Sequence, residues 1–272
     1  MKKSTLLFLT TAFVVGLLAA LFLSQNPKET TPPPTPKVEE AQPSEAQPQP
    51  APVVRLPVTP PPTDQVTAEQ EKQLPALEKS DTVLREALTG ILPEKNWLDM
   101  FIFDHLIRRF VLMVDSLPRP DMSYNRLPLY TPFNRFIPAE YNGALAISPK
   151  NYDRYKSFVS LVDKVEMMEA AELYFSYYPL FQEAYRELGY PDGRFNDRFI
   201  EVIDHLLATP DIQEPIRLVQ PHIRYQYADP KLEALSAGQK LLIRMGNENS
   251  GAVLAKLREL RPLLVNFGPT DN

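Results

Sequence analysis

The sequence predicts a mainly α-helical domain of about seven helices with a minor β-hairpin and an edge strand, preceded by a transmembrane helix and a disordered proline-rich tether. Three observations predict it. An uncharged apolar run of 19 residues, Thr5–Leu23, stands near the N-terminus. Fourteen of the 29 prolines fall between Pro27 and Pro75, so the first quarter of the chain cannot share the fold of the rest. Beyond that stretch, apolar residues recur at helical spacing, punctuated by Ser, Asp, Pro and Gly where helices start and stop.

The apolar run contains Leu6, Leu7, Phe8, Phe13, Val14, Leu17, Leu21 and Phe22. As a helix it spans roughly 28 Å, the hydrocarbon thickness of a bilayer. Lys2 and Lys3 precede it, which places residues 1–4 in the cytoplasm and the rest across the membrane. A cleaved signal peptide is the competing reading, and it needs small residues at −3 and −1. Cleavage after Ala20 puts Leu18 at −3, and cleavage after Ser24 puts Phe22 there. The run is also longer than a typical signal core. The expectation is therefore an uncleaved anchor over 5–23.

Residues 24–73 are expected to form a disordered linker. TPPPTPK (Thr31–Lys37), QPQPAP (Gln47–Pro52) and TPPPT (Thr59–Thr63) favour polyproline II, which has no internal hydrogen bonds and offers no apolar face to bury. Such a tether reaches about 40 Å as a coil and about 170 Å extended. Its runs of proline also suit docking into an aromatic groove, but spacing a domain away from the bilayer is the simpler use.

The folded domain is predicted over 74–265, with a flexible tail over 266–272. Ser80 reads as an N-cap with Asp81 in the first turn, followed by Val83, Leu84, Ala87, Leu88 and Ile91. A long central helix is expected from Glu94 to Ser116, too often interrupted by Asp and Arg to span a membrane. Prolines 118, 120, 128, 132 and 138 forbid a helix next, and Asn142-Gly143 predicts a hairpin of Phe136–Glu140 against Leu145–Ile147. Ser148-Pro149 opens another helix, with Ser as cap and Pro at the first position. The spacing then predicts a helix over Glu166–Leu188, kinked or split at Pro179, and one over Phe195–Ala208. Ile216–Tyr227 reads as a strand, kept to an edge by Pro221. Asp229-Pro230 opens a short helix, Ser236–Gln239 forms a capping box for one ending at Gly246, and Asn249 caps the last, to about Val265.

Composition excludes several functions. From Ser80 onward there are 22 basic and 26 acidic residues, which lacks the basic footprint of a nucleic-acid binder. The chain has no cysteine, which removes disulfides, thiolate metal sites, cysteine nucleophiles and a lipidated cysteine.

Several stretches resemble the bacterial membrane-anchored family named domain of unknown function 3014. They are LEKSD (Leu77–Asp81), IRRFVLMVDSL (Ile107–Leu117), NYDRY (Asn151–Tyr155), YPLFQEAYRELGY (Tyr178–Tyr190) and YQYADPKLEALSAGQKLLIRMGNEN (Tyr225–Asn249). The resemblance runs from about Leu74 to Leu264. It implies the envelope of a Gram-negative bacterium, with the domain in the periplasm, and it brings no catalytic residues.

No catalytic, cofactor or metal signature stands out, so no catalytic residue, cofactor or metal is assigned. Asp104-His105 and Asp204-His205 each put a carboxylate beside an imidazole, but neighbours on a helix point about 100° apart and neither pair makes a metal site alone. Glu166, Glu169 and Glu172, and Glu183 with Glu187, share helix faces as wall-cleaving acids do. An acidic domain produces such pairs by chance. The more specific cluster is Tyr152, Arg154, Tyr155, Arg224, Tyr225, Tyr227 and Arg244, which fall in the family-like stretches except for Arg224, one residue before the last of them. Arginine grips a carboxylate bidentately and tyrosine supplies rigid contact area, so this is the candidate binding surface. The competing reading makes these residues internal struts. Three function classes follow: a non-enzymatic binding domain for an envelope protein or peptidoglycan partner, which is the reading preferred; a peptidoglycan hydrolase using a Glu or Asp acid; and a structural subunit of an envelope complex.

Overall fold

The computed structural model describes residues 74–266 apart from 93, 123–126 and 131–134. The expected anchor, the linker and nearly all of the tail lie outside these residues. Eight α-helices and two small antiparallel strand pairs make up the described chain, with three 3-10 segments between them.

The helices are α1 (Ser80–Ile91), α2 (Leu106–Ser116), α3 (Lys156–Lys164), α4 (Met167–Glu187), α5 (Phe195–Leu207), α6 (Pro230–Glu233), α7 (Ala237–Met245) and α8 (Asn247–Val265). α2 packs on α4 and α5, and α8 packs on α3, α4, α5 and α7, so α4 and α5 are covered from two sides. That explains the many buried positions of α4, which buries Ala170, Ala171, Leu173, Tyr174 and Tyr177 within eight residues. Among the described residues no helix is long and apolar enough to cross a membrane.

The main core is aromatic. Phe110 of α2 meets Phe181, Phe195 and Phe199 edge-on at 5.4, 6.2 and 5.8 Å between ring centres. Tyr174 closes the group against Phe199 at 5.6 Å. Edge-to-face pairs put the positive ring edge on the negative face, a gain beyond burial alone.

The single helix expected over Glu94–Ser116 is not formed. Lys95–Met100 is a 3-10 segment, the chain then runs extended, and α2 starts only at Leu106. Non-local bonds make the break. Phe101 bridges to Leu129, and Ile102 N–H donates to the Pro128 carbonyl at 2.8 Å. Asp81 then takes the backbone N–H groups of His105 and Leu106 on its two carboxylate oxygens, at 2.8 and 2.9 Å. This is an N-cap supplied from another helix, and it holds His105 in the left-handed region, φ 58°. Ser80 accordingly is not the cap of α1 but its first residue, after a 3-10 turn at Leu77–Lys79.

Other starts stand where the sequence puts them. Asp229 and Ser236 accept the backbone N–H of Lys231 and Gln239 at 2.8 and 3.2 Å. The reciprocal half of the Ser236 capping box is absent, because the Gln239 amide donates to the His205 carbonyl. Ser148 caps a 3-10 segment, Pro149–Tyr155, that leads into α3. α4 runs through Pro179 as one helix rather than two. α8 starts at Asn247, so Asn249 lies inside it and donates to the Met245 and Tyr152 carbonyls.

Strands β1 (Pro138–Tyr141) and β2 (Ala144–Ile147) form the hairpin around Asn142-Gly143, both at positive φ as a type I′ turn requires. The strand expected over Ile216–Tyr227 is instead a second hairpin, β3 (Leu218–Val219) and β4 (Gln226–Tyr227), because Pro221 cannot donate to a ladder and the chain turns there. An Ala146–Arg217 bridge, with Ile147 N–H donating to Ile216 at 3.0 Å, joins the two hairpins into one strip. The inner side, Ile147, Ile216, Leu218 and Tyr227, packs on Ile243 of α7 as a second, smaller core.

Candidate functional site

The first turn of α2 presents two adjacent arginines. Arg108 donates to both oxygens of Glu187 at the end of α4, at 2.6 and 2.9 Å, and to Glu78 before α1 at 2.7 Å. Arg109 donates to the Asp104 carboxylate at 2.6 Å and to its carbonyl. His105 lies beside them, its Nδ1 3.4 Å from Arg108 Nη1. Between α2 and α4 a groove of about 450 Å³ is lined by Asp104, His105, Arg108, Arg109 and Glu187 together with Leu112, Ala184 and Leu188, while Glu78 stands outside the lining.

The electrostatics of the groove are those of paired charges. Hydrogen bonds from Arg108 hold the Glu187 and Glu78 carboxyls below the usual range, and Arg109 does the same for Asp104. The Arg108 guanidinium is driven further from deprotonation by Glu187 first and Glu78 second. A general acid for glycoside cleavage needs the opposite, a carboxyl pushed up by an apolar pocket.

The two Asp-His pairs are separated and differently used. Asp204 is bound bidentately by Arg261 of α8. His205 turns its Nε2 to the Ser236 hydroxyl at 2.8 Å. Burial lowers the basicity of His205, and Arg198 adds to the effect. The sign follows: the unfolded imidazole takes a proton more readily than the folded one, so stability present at neutral pH is lost as pH falls below the ordinary value of 6.5. His205→Gln is expected to flatten thermal-melting midpoints between about pH 7 and pH 5, while the loss from Glu78, Glu187 and Asp104 appears only below the ordinary carboxylate range. Among the described residues no three His, Asp or Glu converge at metal-binding spacing.

The tyrosine–arginine cluster divides. Tyr155 and Tyr227 are buried, at 1% and 3% exposure. Arg154 lies over the Tyr155 ring and Arg244 over the Tyr227 ring, each at 5.5 Å. Tyr227 donates to the Lys240 carbonyl at 3.1 Å, and burial pushes its hydroxyl up to about 12. Tyr152 is half-buried; its hydroxyl is shut off from water with no hydrogen bond of good geometry, although nearby Glu214 adds to the upward shift that burial causes. Gly246, at φ 80°, presses on that ring: a Cβ there would stand 2.7 Å from it. Tyr225 packs on Phe136 at 5.4 Å. Arg224 stands apart, exposed in the β3–β4 turn. Tyr152, Tyr225 and Tyr227 thus pack in the second core and Tyr155 in the main core, with Arg154 and Arg244 over the two buried rings, and Arg224 is the one residue of the seven that stands apart.

Sequence reasoning did not find the groove. Asp104-His105 and the Arg-Arg pair inside Ile107–Leu117 were its local signs, but nothing local joins them to Glu78 and Glu187, which lie 30 and 79 residues from Arg108.

A family model described as Protein of unknown function (DUF3014) matches residues 106–261. No curated protein and no solved structure matches the chain. The matched span includes Arg108, Glu187, the second core and all of α2 to α7, and extends over more than half of the sequence. The chain belongs to the DUF3014 family.

Proposed function

We propose that this protein is a non-enzymatic component of a bacterial cell envelope, whose helical domain receives a polypeptide partner in the groove between α2 and α4. In this reading Thr5–Leu23 is a single-pass anchor in the inner membrane, residues 24–73 are a tether, and the domain works in the periplasm. The observation that carries it is the charge state of the groove. Arg108, paired with Glu187 across the groove and with Glu78 outside it, stands beside the apolar Leu112, Ala184 and Leu188, a mixture of fixed charge and apolar area suited to recognition.

A photoreactive residue at Leu188 of the full-length protein, in cells, tests this. The expected result is a crosslinked species of one discrete larger mass, reduced at least about tenfold by Arg108→Ala, a loss of about 1.4 kcal/mol in affinity. Melting of that variant is expected to stay close to wild type, since the pairs are exposed. The reading fails if the purified protein releases soluble fragments from peptidoglycan and a substitution at Glu187 or Asp104 stops it.

A further inference from the structure

The joined hairpins have an end where apolar side chains face water. β2 and β3 run antiparallel through the Ala146–Arg217 bridge, which sets Val219 opposite Ala144 and brings the Asn142-Gly143 turn and the 220–225 turn to the same end of the strip. Among the described residues nine large apolar side chains are exposed, and four of them, Tyr141, Leu145, Val219 and Ile223, lie at this end. Ile223 is 73% exposed, more than any of the others. By register Tyr141 and Val219 share the outer face of the strip while Leu145 lies on the inner face with Leu218, so the apolar end is made by Tyr141 and Val219 with Ile223 in the adjoining turn.

Two arginines and one carboxylate, Glu140, stand exposed at this end. Arg108, Arg109, Arg119, Arg198 and Arg261 are each paired with a carboxylate. Arg217 and Arg224, flanking the patch, are exposed and have no carboxylate partner among the described residues, as holds also for Arg85, Arg186 and Arg258 elsewhere on the surface. They stand on a domain that is otherwise acidic. Part of the strip's two edges is closed to an added strand. Pro138 lacks an N–H, Asn151 takes the N–H and C=O of Ile137, and Glu233 takes the N–H of Tyr227 at 2.8 Å.

We propose that this two-hairpin tip docks on the surface of an anionic phospholipid bilayer. Ile223 and Val219 enter the interface, Tyr141 sits at headgroup depth with its hydroxyl in water, and Arg217 and Arg224 meet the phosphates. Charge complementarity selects this occupant, together with the uncharged run Thr5–Leu23 in the same chain. The inference rests on the membrane-tethered reading, under which the tether keeps the domain at high local concentration near a bilayer and makes a weak contact effective.

The chain has no cysteine, so Ile223→Cys carries a single polarity-sensitive dye without ambiguity. Full-length labelled protein is reconstituted in vesicles of phosphatidylcholine alone or mixed equally with phosphatidylglycerol. Glu86→Cys, exposed on α1, is the control position. The expected result is blue-shifted emission and quenching by lipid-borne nitroxide at 223 but not at 86, in the anionic vesicles and weakened by salt. Arg217→Gln with Arg224→Gln is expected to lower tip binding about thirtyfold. Flotation after an alkaline wash reads the anchor separately. If the protein is washed off, the anchor reading has failed, and the same dye on the unanchored chain still reports whether the tip binds added vesicles. An unchanged spectrum at 223 overturns the proposal. So does a shift that persists in detergent micelles and grows with protein concentration, which marks a second copy as the occupant.

Discussion

Phe199→Ala is expected to destabilise the domain by about 4 kcal/mol, more than any other single truncation in the core. Phe199 is fully buried on α5 and touches rings from three directions. Phe110 meets it edge-on at 89°, Tyr174 at 67°, and Phe195 stacks at 17°. Removing it costs the transfer of a large side chain, leaves a cavity that four helices cannot all close, and breaks ring pairs worth about 0.5–1.5 kcal/mol each. Urea unfolding of the full chain measures this as a shift in midpoint at constant slope. Phe103 is the comparison. It is half-buried, outside the central ring group, with the Arg85 guanidinium 4.1 Å from its centre. Phe103→Ala is expected to cost about 1 kcal/mol. Equal costs for the two would mean that the ring group is not the hub of the fold.

The same comparison shows which parts of the molecule can be read from its sequence. α5 is legible because its signals are local: Gly193 ends the preceding turn, and Phe199, Val202, Ile203 and Leu206 recur on one face. The first hairpin is legible because Asn142-Gly143 is a turn in its own right. The stretch from Glu94 to Ser116 is not, although it is dense with apolar residues. Helix or extended chain, those residues would be buried either way, and what decides is a carboxylate from Asp81 and a bridge to Leu129. The candidate site divides along the same line. Arginine and tyrosine chemistry is visible residue by residue, but whether Arg108 faces water or two glutamates depends on where α4 ends and where the chain before α1 returns. One signal was available and unused: Asp115 is a carboxylate inside the apolar run from Phe110 to Leu117, where most neighbours are buried.

Asp115 carries the second large effect. Its side chain is 2% exposed, and it accepts from Arg119, from Arg198 Nε at 3.0 Å and from the Tyr190 hydroxyl at 3.3 Å. Arg198 also donates to the Asp115 carbonyl at 3.1 Å. Removing an acidic partner from two arginines that reach water costs less than removing a base from a carboxylate that does not. Arg198→Ala is therefore expected to cost about 3 kcal/mol, because it leaves a desolvated charge with one partner fewer. Arg119→Ala is expected to cost less than about 1 kcal/mol, its side chain being 54% exposed. Asp115→Ala falls between them, and the Asp115→Ala, Arg198→Ala pair is expected to cost less than the sum of its parts, by about 1–2 kcal/mol in a double-mutant cycle. A strictly additive cycle, or equal losses at the two arginines, would show that the carboxylate is not held by Arg198. The consequence reaches beyond the pair. Asp115 ties the end of α2 to α5 and to Tyr190 in the turn between α4 and α5. The carbonyls just beyond it, Leu117 and Arg119, accept the first N–H groups of α7 at 2.9 and 2.7 Å. α7 in turn carries Ile243 under the strand strip, so loosening this carboxylate is expected to loosen the seat of the hairpins as well as the helices.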